Sequence, residues 1–293
     1  MLNYDRKTLR RMFGKSVLPT IPLDLTTLSL QAQKMAGKLS ISGVQPKLSV
    51  RLQDETLVPV DRDGQFILKP QTQQFPELPQ NEYLCMQMGR EYGLNIADCL
   101  LMQLADGSFA YLVKRFDRRK RGRILEKLAC EDMHQILGGT SKYAGSHEQM
   151  ARVIREHCGF APLELQRLFE VSLFNFAIGN GDAHRKNFSL LIKDDHVALS
   201  PAYDLVSSRL VIPAEAEELA LTLNGRQNRL TREDFFAFAS HLDIGIEYAT
   251  RKIDQLKGLH MTFEEMIRTS HLQQDLKERF IVILSERLKR LMP

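Results

Sequence analysis

The hydrophobic periodicity of this chain changes near residues 114–125, and that change limits the folds it can adopt. Before the change, "KLSVRL" (residues 47–52) alternates apolar and polar positions, which is typical of a half-buried strand. Two further apolar stretches, 57–69 and 100–113, contain an Asp-Gly pair, at Asp63-Gly64 and at Asp106-Gly107. Asp-Gly between two apolar runs is a hairpin signal, so each stretch predicts a β-hairpin.

A helix is predicted between the two hairpins, in "NEYLCMQMGREYG" (residues 81–93). Leu84, Met88 and Tyr92 recur every four residues and share one helical face, and Gly93 is placed to end the helix. The scattered apolar positions of residues 1–38 predict a short helical segment before the first strand. The first part of the chain is therefore predicted to be β-rich.

After the change, residues 126–178 and 231–291 have mostly helical periodicity. "TFEE" (262–265) has the spacing of a capping box, and "FIVILSERLKRL" (280–291) predicts an amphipathic terminal helix. A chain of 293 residues is long enough for two lobes. We therefore predict an α+β fold with a small β-rich N-terminal lobe, residues 1–115, and a larger, mostly helical C-terminal lobe, residues 116–293.

Composition places the chain among globular proteins, with 43% apolar and 26% charged residues. No run reaches the length of a membrane span, and no apolar segment follows the basic N-terminus, so we expect a cytoplasmic protein with no membrane partner. The four cysteines form no C-x-x-C pair and are expected to be buried free thiols.

The net charge of +4 is too weak to indicate nucleic-acid binding, but "RRKRGR" (Arg118–Arg123) is a local basic run. We predict that this run is a solvated, flexible loop. The alternative is a docking patch for an acidic partner or a phosphate backbone.

The most polar cluster, Asp182 to Asn187, lies between two apolar segments and has the spacing D-x-x-x-x-N. A kinase catalytic loop has this spacing because the aspartate orients the attacking hydroxyl and the asparagine binds a magnesium ion. By itself the pattern is weak, and a polar turn between a helix and a strand would explain it equally well. Arg185, inside the cluster, has no role in this interpretation and is predicted to face solvent.

Other residues lie in the order that a kinase would require. Asp204 follows two strand-like segments and could bind Mg²⁺ alongside Asn187, although a helix N-cap is the alternative. Lys69 lies in an otherwise apolar strand and needs an anionic partner if it is buried. Glu82 on the next helix could supply that partner, or could simply complement the helix dipole.

A small-residue loop, "KLSISGVQPKLSV" (residues 38–50), precedes the first strand. Its small residues would let backbone N–H groups approach phosphates, although it fits no standard phosphate-loop pattern and could be an ordinary loop. Each feature is weak separately. Their order along a β-rich lobe and a helical lobe indicates phosphoryl transfer.

The chain resembles the HipA-like serine/threonine kinases, the toxin components of bacterial toxin–antitoxin systems. The resemblance runs from about Ser40 to about Ser208. Its motifs are "SISGVQPK", "NEYLCMQMGREYGLNI", "VKRFDR", "EDMHQ", "IGNGDAHRKNFS" and "SPAYDLVS". It implies a bilobal protein-kinase-like fold with ATP and Mg²⁺ as cofactors.

The resemblance also implies a role for each matching residue. Asp182 would be the catalytic residue, Asn187 and Asp204 would hold Mg²⁺, and Lys69 would contact the ATP phosphates. The backbone around Lys114–Phe116 would meet the adenine. Residues that would cover the nucleotide or line its site are Ser42, Gly43, Val44, Gln45, Lys47, Lys114, Phe116, His184, Lys186 and Tyr203.

Regulation and partners are implied in the same way. Ser40 matches a serine that family members autophosphorylate to inactivate themselves, and Ser42 is a second candidate where an alanine is often found. Lys114 stands where the family often has an acidic residue. The implied target is an aminoacyl-tRNA synthetase, whose phosphorylation would inhibit growth.

The implied partners are antitoxin proteins. The resemblance implies that the N-terminal subdomain of longer HipA-type kinases is missing, and in this the chain is similar to the kinase of three-gene systems. In those systems a separate small protein resembles that subdomain, and a DNA-binding antitoxin would provide the only, indirect, link to nucleic acid.

Two other functions fit parts of the pattern. Asp182, His184 and Asn187 also spell D-x-H-x-x-N, which resembles phosphoinositide-type lipid kinases, so a lipid or small-molecule kinase is one alternative. A non-catalytic pseudokinase that docks partners is the other.

Overall fold

The computed structural model describes residues 2, 4–36, 46–122, 124–212 and 217–292. The chain divides into two compact units, and the division falls within one helix, after Tyr83. The first unit comprises Met1–Tyr83 and Ala97–Lys127, and the second comprises Leu84–Ile96 and Leu128–Pro293. The domain boundary predicted between residues 115 and 116 stays a prediction.

The first part of the chain alternates helices with the strands of one main sheet. Its elements are α1 (Arg6–Phe13), α2 (Leu25–Ala36), β1 (Leu48–Gln53), β2 (Thr56–Pro59), β3 (Phe66–Pro70), α3 (Leu78–Tyr92), β4 (Cys99–Gln103), β5 (Phe109–Lys114), β6 (Arg118–Arg121) and β7 (Ile124–Lys127). The antiparallel main sheet has the order β2-β1-β3-β5-β4, so β3 is its central strand.

The core of the first unit lies on one face of this sheet. Phe66 and Leu68 of β3 contribute to it, together with Leu9 of α1 and Leu28 of α2. Successive side chains of a strand point to opposite faces, so Lys69 points away from this core.

The two predicted hairpins have different outcomes. The hairpin at Asp106-Gly107 is confirmed, since β4 and β5 pair directly and Gly107 has a φ of 85°. The prediction of a hairpin at Asp63-Gly64 is wrong. The flanking strands β2 and β3 do not pair with each other, because β1 lies between them and pairs with both.

The basic run is a strand, which corrects the prediction of a flexible loop. Arg118–Arg121 forms β6, which pairs antiparallel with β7. Arg119 and Arg121 point to the same side of β6, and both approach the carboxylate of Glu126 on β7, at 3.0 Å and 3.5 Å. Arg123 lies outside the described residues.

The second part of the chain is mostly helical. Its elements are β8 (Cys130–Asp132), α4 (Met133–Leu137), α5 (His147–His157), α6 (Ala161–Ala177), a 3₁₀ turn (Arg185–Asn187), β9 (Ser189–Lys193), β10 (His196–Leu199), α7 (Ser208–Val211), α8 (Arg232–His241), α9 (Ile246–Gly258), α10 (His260–Thr269) and α11 (Gln274–Lys289). Strands β10, β9 and β8 form a small antiparallel sheet.

Most of the predicted pattern is confirmed. The fold combines a β-rich first part with a mostly helical second part, as the α+β prediction required. Helix α3 forms with Leu84, Met88 and Tyr92 buried, and Gly93 follows it with a φ of 96°. The prediction of a capping box at "TFEE" is wrong, because α10 already begins at His260 and Thr262 lies inside the helix.

All four cysteines are free thiols, and three of them, Cys85, Cys99 and Cys158, are buried, whereas Cys130 is half-buried. Among the described residues, we find no helix that combines the length and the apolar character needed to cross a membrane.

Candidate active site

The loop that carries Asp182 begins at the end of α6, a helix whose last turns are buried. Gly179 has a φ of 69°, which lets the chain turn back directly after the helix. The side chain of Asn180 donates to Asn175 Oδ1 at 2.9 Å, and the Gly181 N–H donates to Ser208 Oγ at 2.8 Å. These contacts give Asp182 a well-anchored backbone on its N-terminal side.

The segment from Asp182 to Asn187 is a compact turn. The His184 N–H lies 2.8 Å from the Asp182 carbonyl oxygen and 3.0 Å from Asn187 Oδ1. The Asn187 N–H donates back to the His184 carbonyl oxygen at 2.9 Å, which closes the 3₁₀ turn. The spacing D-x-x-x-x-N thus places the aspartate and the asparagine at the two ends of one hydrogen-bonded turn.

Asn187 and Asp204 are brought together although 17 residues separate them in the chain. Asn187 Nδ2 donates to Asp204 Oδ2 at 3.1 Å. Asp204 has a φ of 54°, a left-handed conformation that is uncommon for residues other than glycine. Backbone conformations of this kind cluster at functional sites, where the surrounding structure holds them.

The donor set of Asn187 and Asp204 fits a magnesium ion. Asp204 offers carboxylate oxygens, and Asn187 Oδ1, which accepts from the His184 N–H, has a second lone pair for a metal ion. Mg²⁺ is commonly bound by one or two carboxylates together with water and substrate phosphates. In the part of the chain that the structure describes, no group of three or more His, Cys, Asp or Glu side chains could hold a metal ion. With two protein ligands, the remaining positions around an octahedral Mg²⁺ would be filled by water and substrate phosphates.

His184 and Tyr203 are firmly placed beside this turn. His184 is buried, and its burial lowers the pKa of the imidazole, an effect that the nearby Asp182 carboxylate partly opposes. The Tyr203 hydroxyl lies 2.6 Å from Ser189 Oγ and donates to the Lys186 carbonyl oxygen at 2.7 Å. Burial raises the pKa of Tyr203 well above its ordinary value, so its hydroxyl stays protonated.

Lys69 and Glu82, in the first unit, form the predicted ion pair. Lys69 Nζ lies 2.6 Å from Glu82 Oε1, and the side chains are only 6% and 4% exposed. Lys69 also lies 5.3 Å from the centroid of the Tyr111 ring on the neighbouring strand. The lysine in an apolar strand is therefore a buried cation with a partner, not an edge residue.

The other residues predicted for nucleotide binding have varied positions. Lys47 is half-buried just before β1. Lys114 ends β5, where its Nζ donates to the Arg11 carbonyl oxygen at 2.5 Å and burial lowers its pKa. Phe116 lies in the turn after β5, and Lys186 in the 3₁₀ turn, both half-buried. Residues outside the described part of the chain are Ser40, Ser42, Gly43, Val44 and Gln45.

Two residues near Asp182 were not anticipated. Arg185 is only 7% exposed, so the prediction that it faces solvent is wrong. Its guanidinium donates to the Gly138 carbonyl oxygen and to Gln149 Oε1, which sequence spacing does not reveal. The Tyr143 hydroxyl donates to Asp182 Oδ1 at 2.8 Å. Tyr143 lies in a loop 39 positions earlier in the chain, and no motif in the sequence indicates this contact.

Comparisons with known proteins identify relatives over most of the chain. A putative kinase from Haemophilus influenzae is 28% identical over 252 residues, which cover 77% of this chain and 73% of that protein. The serine/threonine-protein kinase toxin HipA from Shewanella oneidensis is 28% identical over 235 residues. This match covers 74% of our chain but only 53% of the toxin, so the chain spans about half of that relative's length.

The fold is also found among solved structures. The structure of HipA with HipB and operator DNA from Shewanella oneidensis MR-1 matches with a TM-score of 0.73 at 22% sequence identity. The match covers 86% of this chain and 65% of that one, and it confirms the predicted fold class. A family model described as the HipA-like C-terminal domain matches residues 39–268, well over half of the sequence. The chain therefore belongs to the family of HipA-like C-terminal domains.

Proposed function

We propose that this protein is an ATP-dependent serine/threonine protein kinase. The observation that carries the proposal is the contact between Asn187 and Asp204, in which an amide and a carboxylate lie together at the end of the turn that begins at Asp182. A carboxylate that accepts a proton and a nearby pair of oxygen ligands for Mg²⁺ are the parts that phosphoryl transfer needs. Two of the relatives are named as kinases, which also supports the proposal.

In this proposal Asp182 is the catalytic residue. Its carboxylate orients the hydroxyl of the acceptor and takes up the proton as the oxygen bonds to the γ-phosphorus, while the bond from that phosphorus to the ADP oxygen breaks. The magnesium ion would supply neutralising charge on the phosphates, held by Asn187 and Asp204. Preorganised positions are the main requirement of this chemistry, and the hydrogen bonds within the turn from Asp182 to Asn187 support the proposal.

Lys69 would contact the ATP phosphates, with Glu82 holding the ammonium in place. The backbone around Lys114–Phe116 would meet the adenine, and the loop that contains Ser42, Gly43, Val44, Gln45 and Lys47 would cover the nucleotide. His184 and Lys186 would line the site. Tyr203 would act mainly by holding the turn, because its hydroxyl is engaged by Ser189 and by the Lys186 carbonyl oxygen.

We further propose that the kinase is a toxin that phosphorylates an aminoacyl-tRNA synthetase and so inhibits growth. A relative that matches three quarters of the chain is named a kinase toxin, and the similar solved structure contains HipB and operator DNA. By analogy, the partners would be an antitoxin that binds DNA and a small protein that resembles the N-terminal subdomain of longer relatives. Contact with nucleic acid would be indirect.

The decisive experiment is phosphopeptide mass spectrometry after incubation with Mg-ATP, with and without host lysate. We expect phosphoserine on the protein itself and on one synthetase, and no phosphate from the Asp182→Asn variant. A parallel incubation with labelled ATP and lysate tests the lipid alternative, and label on lipid would favour a lipid kinase. No transfer from a protein that still binds ATP would favour the pseudokinase alternative.

Self-inactivation at Ser40 or Ser42 is a separate part of the proposal. A phosphoserine adds about −1.5 to −2 charge, which would repel the ATP phosphates under the covering loop. The Ser40→Asp, Ser42→Asp double variant should therefore bind ATP more weakly than the matched Ser40→Ala, Ser42→Ala variant. Equal ATP affinities of the two variants would contradict the repulsion mechanism.

A further inference from the structure

Tyr143 makes a direct contact with the carboxylate that we assign to catalysis. Its phenol oxygen donates to Asp182 Oδ1 at 2.8 Å. The ring packs edge-on against His184, with centroids 5.2 Å apart, and Lys142 Nζ lies 4.8 Å from the ring centroid. Tyr143 is still 47% exposed, so this contact lies at the protein surface.

The loop that carries Tyr143, residues 138–146, is tied to the catalytic turn by Arg185. The Arg185 guanidinium donates to the Gly138 carbonyl oxygen at 3.2 Å and to Gln149 Oε1 at 2.9 Å. The Arg185 N–H donates to the Lys142 carbonyl oxygen at 3.2 Å. One residue of the turn thus contacts the start of the 138–146 loop, the residue before Tyr143, and the helix that follows the loop.

The far end of the 138–146 loop is also fixed. Gly145 has a φ of 121°, and a Cβ built on it would lie 2.2 Å from Arg185 Nη2, so the guanidinium fills the space beside the backbone. The Thr222 N–H donates to the Gly145 carbonyl oxygen at 3.2 Å. Ser146 then caps α5 through the Gln149 N–H. A loop held at both ends keeps its central side chain in place.

We infer that Tyr143 is a positioning residue for Asp182 and that the 138–146 loop, tied by Arg185, sets its place; this inference rests on the proposed kinase function. The phenol holds Oδ1 of the carboxylate and thereby limits the rotation of that group. A group fixed in the correct geometry before reaction lowers the barrier without reorganisation at each turnover. The fixed loop favours this role over that of a plug that must swing away.

The test is the Tyr143→Phe variant, which keeps the ring and its contacts with His184 and Lys142 and removes only the phenol oxygen. We expect kcat for phosphate transfer to fall about tenfold or more, the size expected for losing a hydrogen bond to a charged group, while KM for ATP is unchanged. An unchanged kcat would overturn the inference. A higher kcat would also overturn it, because it would show that the phenol competes with the acceptor.

A matched control is available elsewhere in the second unit. Tyr248 also donates its hydroxyl to a carboxylate, that of Glu170. The Tyr248→Phe variant loses a bond of the same kind, away from the catalytic turn, and should change the thermal midpoint but not kcat. A similar fall of kcat in both variants would mean that general destabilisation, and not positioning, is responsible.

The tie through Arg185 is tested by a double-mutant cycle. Arg185→Lys keeps the positive charge but cannot make both guanidinium hydrogen bonds, to the Gly138 carbonyl oxygen and to Gln149 Oε1. We expect it to lower kcat in the wild-type background and to have little further effect in the Tyr143→Phe background, because both changes act through one contact. Fully additive effects would overturn the part of the inference that concerns the loop.

A second readout separates this inference from the proposed function. If the wild-type protein transfers phosphate but Tyr143→Phe is unaffected, only the inference fails. If the wild-type protein transfers none, thermal midpoints of Tyr143→Phe, Asp182→Ala and the double variant still measure the contact without turnover, because alanine offers the phenol no acceptor. Additive shifts in the midpoints would then show that Tyr143 and Asp182 are not coupled, and the inference would be wrong.

Discussion

Lys69 on β3 and Glu82 on α3 form an ion pair of 2.6 Å in which both residues are buried, with 5% and 3% of their surfaces exposed. β3 is the central strand of its sheet, so the lysine is surrounded by protein. Taking two charges out of water is costly, and their attraction repays that cost only while both partners are present. A buried ion pair of this kind adds little net stability to a fold. This favours a functional role for the pair of Lys69 and Glu82.

The first prediction separates stability from function at this pair. Lys69→Met leaves Glu82 buried without its cation, and we expect the free energy of unfolding to fall by about 3 to 5 kcal/mol. The Lys69→Met, Glu82→Leu double variant should regain most of that stability but transfer no phosphate. Urea unfolding and a transfer assay on both variants check this.

The control for the first prediction is the exposed pair of Lys257 and Asp254, 3.2 Å apart. Asp254→Asn should change the free energy of unfolding by less than about 1 kcal/mol, because water screens surface pairs. If the Lys69, Glu82 double variant kept full activity, the assignment of Lys69 to the ATP phosphates would be wrong.

The second prediction concerns Asp204. Asparagine also tolerates the left-handed conformation, and its side-chain oxygen can still accept from Asn187, so Asp204→Asn should fold normally. Removing the negative charge should nevertheless lower phosphate transfer by on the order of a hundredfold. The rate measured over a series of Mg²⁺ concentrations checks this.

A matched change for Asp204 exists in the turn between β9 and β10, where exposed Asp195 has a φ of 63°. Asp195→Asn makes the same chemical change in the same backbone conformation and should leave transfer unchanged. Equal activity of the Asp204→Asn and Asp195→Asn variants would argue against a metal role for Asp204.

The third prediction concerns the turn after α6. Gly179 has a φ of 69°, and an added Cβ would lie 2.8 Å from Ile283 Cγ2 on α11. Gly179→Ala should therefore lower the free energy of unfolding by about 1 to 3 kcal/mol through backbone strain and overpacking. Thermal or urea unfolding measures the change.

Gly258, the last residue of α9, is the control for this substitution, because a Cβ there would meet nothing within 4 Å. Gly258→Ala should be neutral or stabilise by up to about 1 kcal/mol, since alanine favours helix more than glycine does. A Gly179→Ala variant as stable as Gly258→Ala would show that the turn relaxes easily.

The fourth prediction concerns pH. His147 is fully buried between Phe188 and Phe238, and burial lowers its pKa, although the Thr222 carbonyl oxygen and Glu148 partly oppose the shift. Its pKa in the folded protein lies below the unfolded value of about 6.5, so below that pH the unfolded chain binds a proton that the folded chain does not. The free energy of unfolding should therefore fall as the pH drops below about 6.5.

Urea unfolding between about pH 7.5 and about pH 5.5 tests this pH dependence. His147→Phe removes the titrating group and should make the dependence shallower. His184 contributes in the same direction, so some dependence should remain. Identical slopes for His147→Phe and the wild-type protein would contradict the prediction.

Features set by short-range patterns were predictable from the sequence. Period-two alternation identified β1, and the four-residue spacing of Leu84, Met88 and Tyr92 identified α3. The pairing of Lys69 with Glu82 was also predictable, because a cation in an apolar strand requires an anion nearby. In each of these cases the physical demand is local or is met by the next element along the chain.

Features that depend on distant residues were predicted incorrectly or not at all. Asp63-Gly64 has the composition of a hairpin turn, yet β1 occupies the place between the two flanking strands. Arg185 is a residue type that is usually exposed, but the Gly138 carbonyl oxygen and the Gln149 side chain on α5, 47 and 36 positions earlier, supply the acceptors that allow its burial. Burial of a charge depends on its partners, and their identity is not written in the local sequence.

The sequence by itself determined the order of β-rich and helical parts and the polar turn from Asp182 to Asn187, because periodicity and spacing act along the chain. Only the tertiary structure decided that Asn187 meets Asp204, that Arg185 is buried and that Tyr143 donates to Asp182. These contacts join residues 17 to 47 positions apart, and they form only when packing of the helices and strands brings those segments together.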